Sequence, residues 1–306
     1  MHKHIKGVLL ITKKTMKRIL FCLIIFITSL FNIFAGGEKE THSIQKKNMR
    51  IVSLSPNITE TVFALGAGNS LVGRTDYCTK PEEALKVRSV GNILEPDTEM
   101  IIALKPDIVV ASTNLSFSTM TILNRAGINT VRFDGDYTGK DGTFRLLREI
   151  GKSINKNAEA EELCQEIEKK LDKIKDVISD IKEKRTCAVI ISWGDWGDFA
   201  ATGDTFINEI IECAGGINFA HNATMWSVSR EFLLSQNPDV IILALNTDTD
   251  SEKAINSFIN TSPYNKLNAC REGMVYSVDA DIIERQGSSF AESVAIIAKL
   301  LYPECF

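Results

Sequence analysis

Histidine is scarce in this chain of 306 residues, which contains four in total. His2 and His4 lie at the extreme N-terminus, so only His42 and His221 remain for the rest of the sequence. A site for bare zinc or manganese draws on several histidines, and this number argues against one. The chain also lacks the G-x-S-x-G, P-loop and H-E-x-x-H signatures of common enzyme classes. We therefore expect no resident metal or cofactor and no catalytic site.

Cysteines are few and widely spaced. Seven are present, and no two stand at C-x-x-C spacing, which leaves a zinc or redox motif unsupported. Cys22 lies in an apolar N-terminal run, and six others are scattered over the rest of the chain. Six cysteines allow 15 pairings in an oxidising compartment, so the sequence leaves their pairing open.

The first 35 residues differ from the rest in charge. They contain six Lys or Arg and no Asp or Glu, followed by an apolar run over residues 19–34 and the small residues Ala35 and Gly36. This pattern predicts a secretory signal peptide at residues 1–35, since a bilayer span needs about 20 apolar residues. Met16 is an alternative start to Met1. Cys22 is a poor lipid-attachment site because it follows a bulky Phe, so a soluble exported product is favoured over a lipid-anchored one.

Removing this leader leaves an acidic protein. The formal charge falls from −4 to −10, because six of the 35 basic residues and none of the 39 acidic ones are lost. Such a charge argues against nucleic acid as a partner and suits a basic receptor surface. We expect the mature protein in the periplasm or at the outer face of the cytoplasmic membrane.

Strand and helix patterns alternate after a polar tether at residues 36–48. Such alternation predicts parallel βαβ units in an N-terminal lobe (49–155) and a C-terminal lobe (186–306). Between them, apolar residues recur every three or four positions, which predicts one long amphipathic connecting helix over 156–185. The fold class is therefore α/β, with two lobes that each contain a largely parallel sheet. Asn57 and Glu60 have the spacing of a helix-start capping pair.

The two lobes share a sequence repeat. Residues 99–111 read EMIIALKPDIVVA, and residues 231–244 read EFLLSQNPDVIILA. In each copy a Glu precedes a Pro by seven positions, an Asp follows the Pro, and an apolar strand comes next. The repeat predicts that Glu99 and Glu231 occupy equivalent places, one in each lobe.

Several segments resemble the iron-chelate and vitamin B12 family of periplasmic binding proteins. The resemblance extends over about residues 50 to 302, and four segments carry it: 51–56 with Thr59 and Glu60, 99–107, 226–231 and 281–285. It implies two α/β lobes bridged by one long helix. It also implies the solute-binding protein of an ABC importer, a monomer that carries a metal chelate to the membrane permease.

The match is closest to vitamin B12-binding members, whose pocket is lined by aromatic residues and closed by an Asp/Arg pair. The resemblance places Asp281 and Arg285 at that pair. It implies further ligand contacts at Pro56 and at aromatic residues. Tyr77 follows a predicted strand at residues 71–73, and Trp193 follows one at residues 187–192. In α/β sheets, ligands bind beyond the carboxyl ends of strands. The aromatic candidates are Tyr77, Trp193 and Trp226, and Trp196 also falls between strands.

The ligand and the class of protein each have an alternative. Two positions that are aromatic in vitamin B12 binders are Ile93 and Ser112 here, so a ferric siderophore or haem remains an alternative to a corrinoid. An α/β enzyme on a related two-lobed fold is the second alternative.

In the resembled family, glutamates at the positions of Glu99 and Glu231 engage arginines of the permease, which implies a docking role for both.

Overall fold

Strands and helices alternate in the order that the sequence predicts. The computed structural model describes residues 48–306 apart from 134–137, 139–140 and 195–196. The predicted signal peptide (1–35) and all of the predicted tether except residue 48 lie outside the described residues. In the described part of the chain, no helix combines the length and the apolar character that crossing a membrane requires.

The sheet of the first lobe is entirely parallel. The strands are β1 (Ile51–Ser53), β2 (Leu71–Arg74), β3 (Ile108–Ser112) and β4 (Asn129–Phe133). They follow the order β2-β1-β3-β4, and each neighbouring pair is parallel. Val52, Val109 and Val110 are fully buried, as expected for strands that helices cover on both faces. The helices are α1 (Pro56–Ala64), α2 (Thr98–Ala103), α3 (Phe117–Arg125) and α4 (Gly142–Ser153).

One long helix, α5 (Asn157–Val177), lies between the two lobes in the chain. Its 21 residues span about 32 Å at 1.5 Å per residue, which is shorter than the periodicity predicts. Ala160 belongs to the core of the first lobe, whereas Ile167 and Ile174 belong to the core of the second. Ile181, which lies beyond the end of the helix, also packs against the core of the second lobe. The periodic apolar residues therefore continue past the helix, which is why the sequence predicts a longer one.

The second lobe combines a parallel sheet with a short antiparallel extension. The strands are β5 (Thr186–Ser192), β6 (Asp198–Ala200), β7 (Ile217–Asn218), β8 (Ser227–Val228), β9 (Val240–Leu245) and β10 (Val275–Asp279). β10, β9, β5 and β7 pair in parallel in that order, whereas β6 pairs antiparallel with both β5 and β8. The helices are α6 (Phe206–Cys213), α7 (Arg230–Gln236), α8 (Ser251–Asn260), α9 (Asn268–Glu272), α10 (Ala280–Ile283) and α11 (Phe290–Leu301).

The sequence repeat is also a repeat of hydrogen bonds. Asp107 Oδ2 accepts the backbone N–H of Arg50 at 2.8 Å, just before β1. In the second lobe, Asp239 Oδ2 accepts the backbone N–H of Thr186 at 2.7 Å, at the start of β5. In both lobes the aspartate after the repeated proline thus satisfies a backbone donor at the entry to the neighbouring parallel strand.

The helices of the repeat also begin and end alike. Asp97 caps α2 by accepting the N–H of Met100, and Ser229 caps α7 by accepting the N–H of Phe232. The residue before each proline has left-handed φ, +48° in one lobe and +44° in the other, as often follows a helix C-terminus. The two lobes are therefore built from one unit at the level of individual hydrogen bonds.

Candidate functional site

A cavity of about 620 Å³ is lined by residues of both lobes. Its first-lobe wall lies just beyond the carboxyl ends of β1 to β4, which is where open α/β sheets bind ligands. Its second-lobe wall comes from the start of α6, the turn before β8 and the segment after α10. A larger concavity of about 730 Å³ beside Arg185 is lined by second-lobe residues and by the segment that leads into that lobe. The cleft is the better candidate because residues of both lobes line it, and the carboxyl ends of the first-lobe strands face it.

Five of the predicted ligand contacts meet in this cleft: Pro56, Tyr77, Trp226, Asp281 and Arg285 all line it. Pro56 is the first residue of α1, and Tyr77 follows β2 with 52% of its surface exposed. Ile93 and Ser112, the two non-aromatic departures, line the same cleft.

Trp193 is placed elsewhere. Its ring packs edge-on against Phe258, with 5.5 Å between centroids, and it does not contribute to the cleft lining. Phe258 in turn stacks on Tyr264, so the core of the second lobe offers Trp193 an aromatic partner beside the end of β5. The prediction that Trp193 contacts the ligand therefore does not fit this arrangement. Trp196 lies outside the described residues.

The predicted Asp/Arg pair is part of a larger charge network that joins the lobes. Arg285 donates to Asp281 and to Glu60 of the first lobe, each at 2.6 Å. Lys80 of the first lobe lies 3.6 Å from both Asp279 and Asp281. Burial raises the pKa of Glu60, and the hydrogen bond and charge of Arg285 only partly oppose that effect.

The predicted capping pair has a different role. The N-cap of α1 is Ser55, so the interpretation of Asn57 and Glu60 as a capping pair is wrong. Asn57 Nδ2 instead donates to the backbone oxygen of Gln286 at 2.9 Å, and Glu60 holds Arg285. Both side chains thus connect the lobes, which local sequence spacing does not reveal.

A second carboxylate, Glu209 of the second lobe, contacts the first lobe. It is 6% exposed, and its Oε2 accepts the hydroxyl of Thr143, the second residue of α4, at 3.2 Å. Burial raises the pKa of Glu209 to about 7, although hydrogen bonds from Thr143 and from the backbone of Asp141 act in the opposite direction.

This pKa predicts a measurable pH dependence of stability. A carboxyl whose pKa is higher in the folded than in the unfolded protein contributes stability at low pH, and that stability is lost as pH rises from about 4.5 to about 7. Between pH 5 and pH 8 we expect Glu209 to lower the free energy of unfolding by about 2–3 kcal/mol. Urea unfolding of the wild type should show the free energy of unfolding falling between pH 5 and pH 8. In Glu209→Gln this fall should be smaller by about 2–3 kcal/mol. Equal pH slopes in the two proteins would contradict the assignment.

Among the described residues that line the cleft, acidic side chains outnumber basic ones. Asp204 and Glu284 line it together with Asp281, and Arg285 is the only basic residue among the lining residues that the structure describes. Burial, and then repulsion from Asp281, raises the pKa of Glu284. Within the described ranges, no group of three or more His, Cys, Asp or Glu is arranged to hold a metal ion.

Glu99 and Glu231 lie outside the cleft lining, at matching positions. Each is exposed, and each is the second residue of its short helix, α2 or α7. A carboxylate there interacts favourably with the positive end of the helix.

Comparison with known proteins agrees with this architecture. Residues 51–282 match a family model described as periplasmic binding protein. The chain is similar to an uncharacterized ABC transporter substrate-binding lipoprotein of Bacillus subtilis, with 32% identity over 86% of this chain and 83% of the relative. It is also similar to a cobalamin-binding protein of Halobacterium salinarum, with 28% identity over 83% of this chain and 69% of the relative.

Structural similarity extends the comparison at the level of the fold. A periplasmic haem-binding protein of Vibrio cholerae superposes with a TM-score of 0.73 and 20% identity, covering 84% of this chain and all of that one. The two-lobed architecture is therefore shared with solved binding proteins. The chain belongs to the periplasmic binding protein family, among the substrate-binding proteins of ABC transporters.

Proposed function

We propose that this protein captures a corrinoid in the cleft between its lobes and delivers it to the permease of an ABC importer. The observation that carries the proposal is the cleft itself, in which Tyr77 and Trp226 flank a cavity of about 620 Å³. A cavity of this size suits a large ligand, and aromatic rings give a flat macrocycle apolar contact at low entropic cost.

Charge favours a corrinoid over the alternative ligands. Haem carries two carboxylates and many ferric siderophores are anionic, so both call for basic side chains in the site. Three of the described lining residues are carboxylates, and Arg285, the one basic residue among them, is already paired with Glu60 and Asp281. A chelate without net negative charge avoids repulsion from these groups. The amide groups of a corrinoid can pair with the hydroxyl and amide side chains of the lining, among them Asn57, Asn114, Thr138 and Gln286.

The aromatic contacts give the test. Truncating Tyr77 or Trp226 to Ala is expected to raise the dissociation constant for cobinamide or cobalamin about 5- to 150-fold, the effect of losing about 1–3 kcal/mol of aromatic contact. Isothermal titration of the mature protein measures it. Trp193→Ala is the matched control, because that ring packs on Phe258 and should affect stability rather than affinity. Unchanged affinity in both cleft variants would move the site elsewhere.

Family membership already implies a membrane permease as partner, a small-molecule ligand and an extracytoplasmic location. Beyond these, we infer an exported chain that begins near Gly36 once residues 1–35 are removed. We expect it to act as a monomer without catalytic turnover and without affinity for nucleic acid, since its mature charge is −10. Glu99 and Glu231 are the proposed permease contacts, and the ligand's metal arrives as cargo and not as a resident cofactor.

A further inference from the structure

Trp226 lies in an unusual backbone turn at the edge of the cleft. Met225 and Trp226 have φ values of +64° and +59°, a left-handed conformation that residues with side chains seldom adopt even singly. Met225 is 79% exposed, so burial of its side chain does not hold the turn in place. A conformation of this kind persists only where the surrounding structure fixes it, and such positions cluster at functional sites.

Two side chains of one loop hold this turn. The carboxylate of Asp204 accepts the backbone N–H of Met225 at 2.9 Å, and the hydroxyl of Thr202 accepts that of Trp226 at 3.1 Å. Thr202 also donates its own hydroxyl proton to Asp204 at 2.5 Å, which orients both acceptors. Thr202 and Asp204 therefore clamp two consecutive amides of the strained turn.

Backbone contacts with residues 220–223 hold the loop that carries Thr202 and Asp204 in place. Gly203, between its two residues, donates its N–H to the backbone oxygens of Ala220 and Ala223 at 3.0 and 3.1 Å. A side chain at this glycine would collide with the backbone oxygen of His221, 1.8 Å from the position of the added carbon. The loop therefore sits directly against the following segment, and Thr202 is fully buried.

The protonation state of Asp204 suits this role. Burial by itself would raise its pKa, but the hydrogen bonds from Thr202 and from the N–H of Met225 bring the pKa below its ordinary value. The side chain is therefore ionised at neutral pH and acts as an acceptor only.

We propose that Asp204 is a positioning residue for ligand binding, which acts through the Met225–Trp226 turn to hold the Trp226 ring in the cleft before the ligand arrives. The inference rests on the proposed function only in taking Trp226 as a ligand contact. Fixing a side chain in its bound orientation in advance lowers the entropic cost of binding.

Three variants separate positioning from direct contact with the ligand. Asp204→Ala removes the acceptor, so the turn should relax and the dissociation constant for cobinamide should rise about ten-fold. Asp204→Asn keeps an oxygen that can accept the N–H of Met225, so it should lose less affinity than the alanine variant. Adding Met225→Gly to Asp204→Ala should recover most of the affinity, because glycine adopts positive φ without strain.

The environment of Trp226 can also be measured in the protein without ligand. Fluorine NMR of protein labelled with 5-fluorotryptophan reports each of the three tryptophans, and the Trp226 resonance is identified by its loss in Trp226→Phe. We expect this resonance to shift and broaden in Asp204→Ala and to return in both Asp204→Asn and Asp204→Ala/Met225→Gly. An unchanged resonance in Asp204→Ala would overturn the proposal. It would also be overturned if both Asp204 variants lost affinity equally, which would make the carboxylate a direct ligand contact. If the wild type bound none of the chelates, the proposed function would fail, whereas the resonances would still decide for or against the clamp.

Discussion

Reversing the charges of Glu99 and Glu231 together is expected to abolish delivery of the ligand while leaving its binding intact. The two glutamates occupy the same position in a unit that the lobes repeat down to individual hydrogen bonds. Both are exposed, and neither lines the cleft. Equivalent positions on related lobes can meet two equivalent basic sites on a two-fold permease.

The size of the effect follows from charge complementarity. Against the proposed basic sites of the permease, two lysines would exchange attraction for repulsion, which costs several kcal/mol at an interface. Transport in proteoliposomes reconstituted with the permease should therefore fall about 100-fold or more in Glu99→Lys/Glu231→Lys. The dissociation constant for the ligand should stay at the wild-type value.

A matched control uses two other exposed glutamates. Glu252 is the second residue of α8, which Asp250 caps, and Glu82 opens a short helical turn in the first lobe. Glu82→Lys/Glu252→Lys makes the same change in net charge and also removes carboxylates from helix starts, but both positions lie outside the repeat. This control should transport normally. Wild-type transport by Glu99→Lys/Glu231→Lys would mean that the repeat is architectural only.

Replacing Arg285 by Met is expected to destabilise the fold by about 3 kcal/mol, because a poorly solvated carboxylate then loses its partner. The side chains of Arg285 and Glu60 are 12% and 14% exposed, and they join the two lobes at 2.6 Å. Asp281, the other partner of Arg285, is more exposed at 33% and keeps Lys80 nearby, so Glu60 accounts for most of the loss.

The chain offers its own comparison for this measurement. Arg148 and Glu161 form a similar pair at 2.8 Å, but their side chains are 45% and 50% exposed. Arg148→Met should therefore cost less than about 1 kcal/mol in urea unfolding. Glu60→Gln/Arg285→Met should regain part of the stability lost in Arg285→Met, since it removes the unpaired charge. Equal losses in Arg285→Met and Arg148→Met would mean that the network between the lobes contributes no more than a surface ion pair.

Much of the fold could be predicted from local pattern. β5 and β9 are seven and six residues long and mostly apolar, which is enough to predict strands. The repeat was visible because proline and aspartate mark the same turn in both lobes. The strands β6, β7 and β8 are not predictable from the sequence, because strands of two or three residues have no detectable alternation and their pairing is set by distant parts of the chain.

The site was predictable where residues follow strand ends, as Tyr77 does, because topology brings those ends together. The orientation of a side chain is not predictable in this way, since Trp193 also follows a strand and yet packs against the core of its lobe. Contacts across the lobes, such as Glu60 with Arg285, join residues 225 positions apart and leave no local signal. The clamp of Thr202 and Asp204 on Met225 and Trp226 is of the same kind, because only the folded chain brings the two loops together.

Native mass spectrometry of the mature protein distinguishes a corrinoid from the other candidate ligands. Residues 36–306 would be mixed with equal amounts of cobinamide, cobalamin, haem and a ferric siderophore, and the mass of the complex identifies the occupant. We expect one corrinoid per chain, with the complex strongly reduced in the Trp226→Ala variant and retained in Trp193→Ala. Preferential binding of haem or the siderophore, or no complex with any of the four, would contradict it.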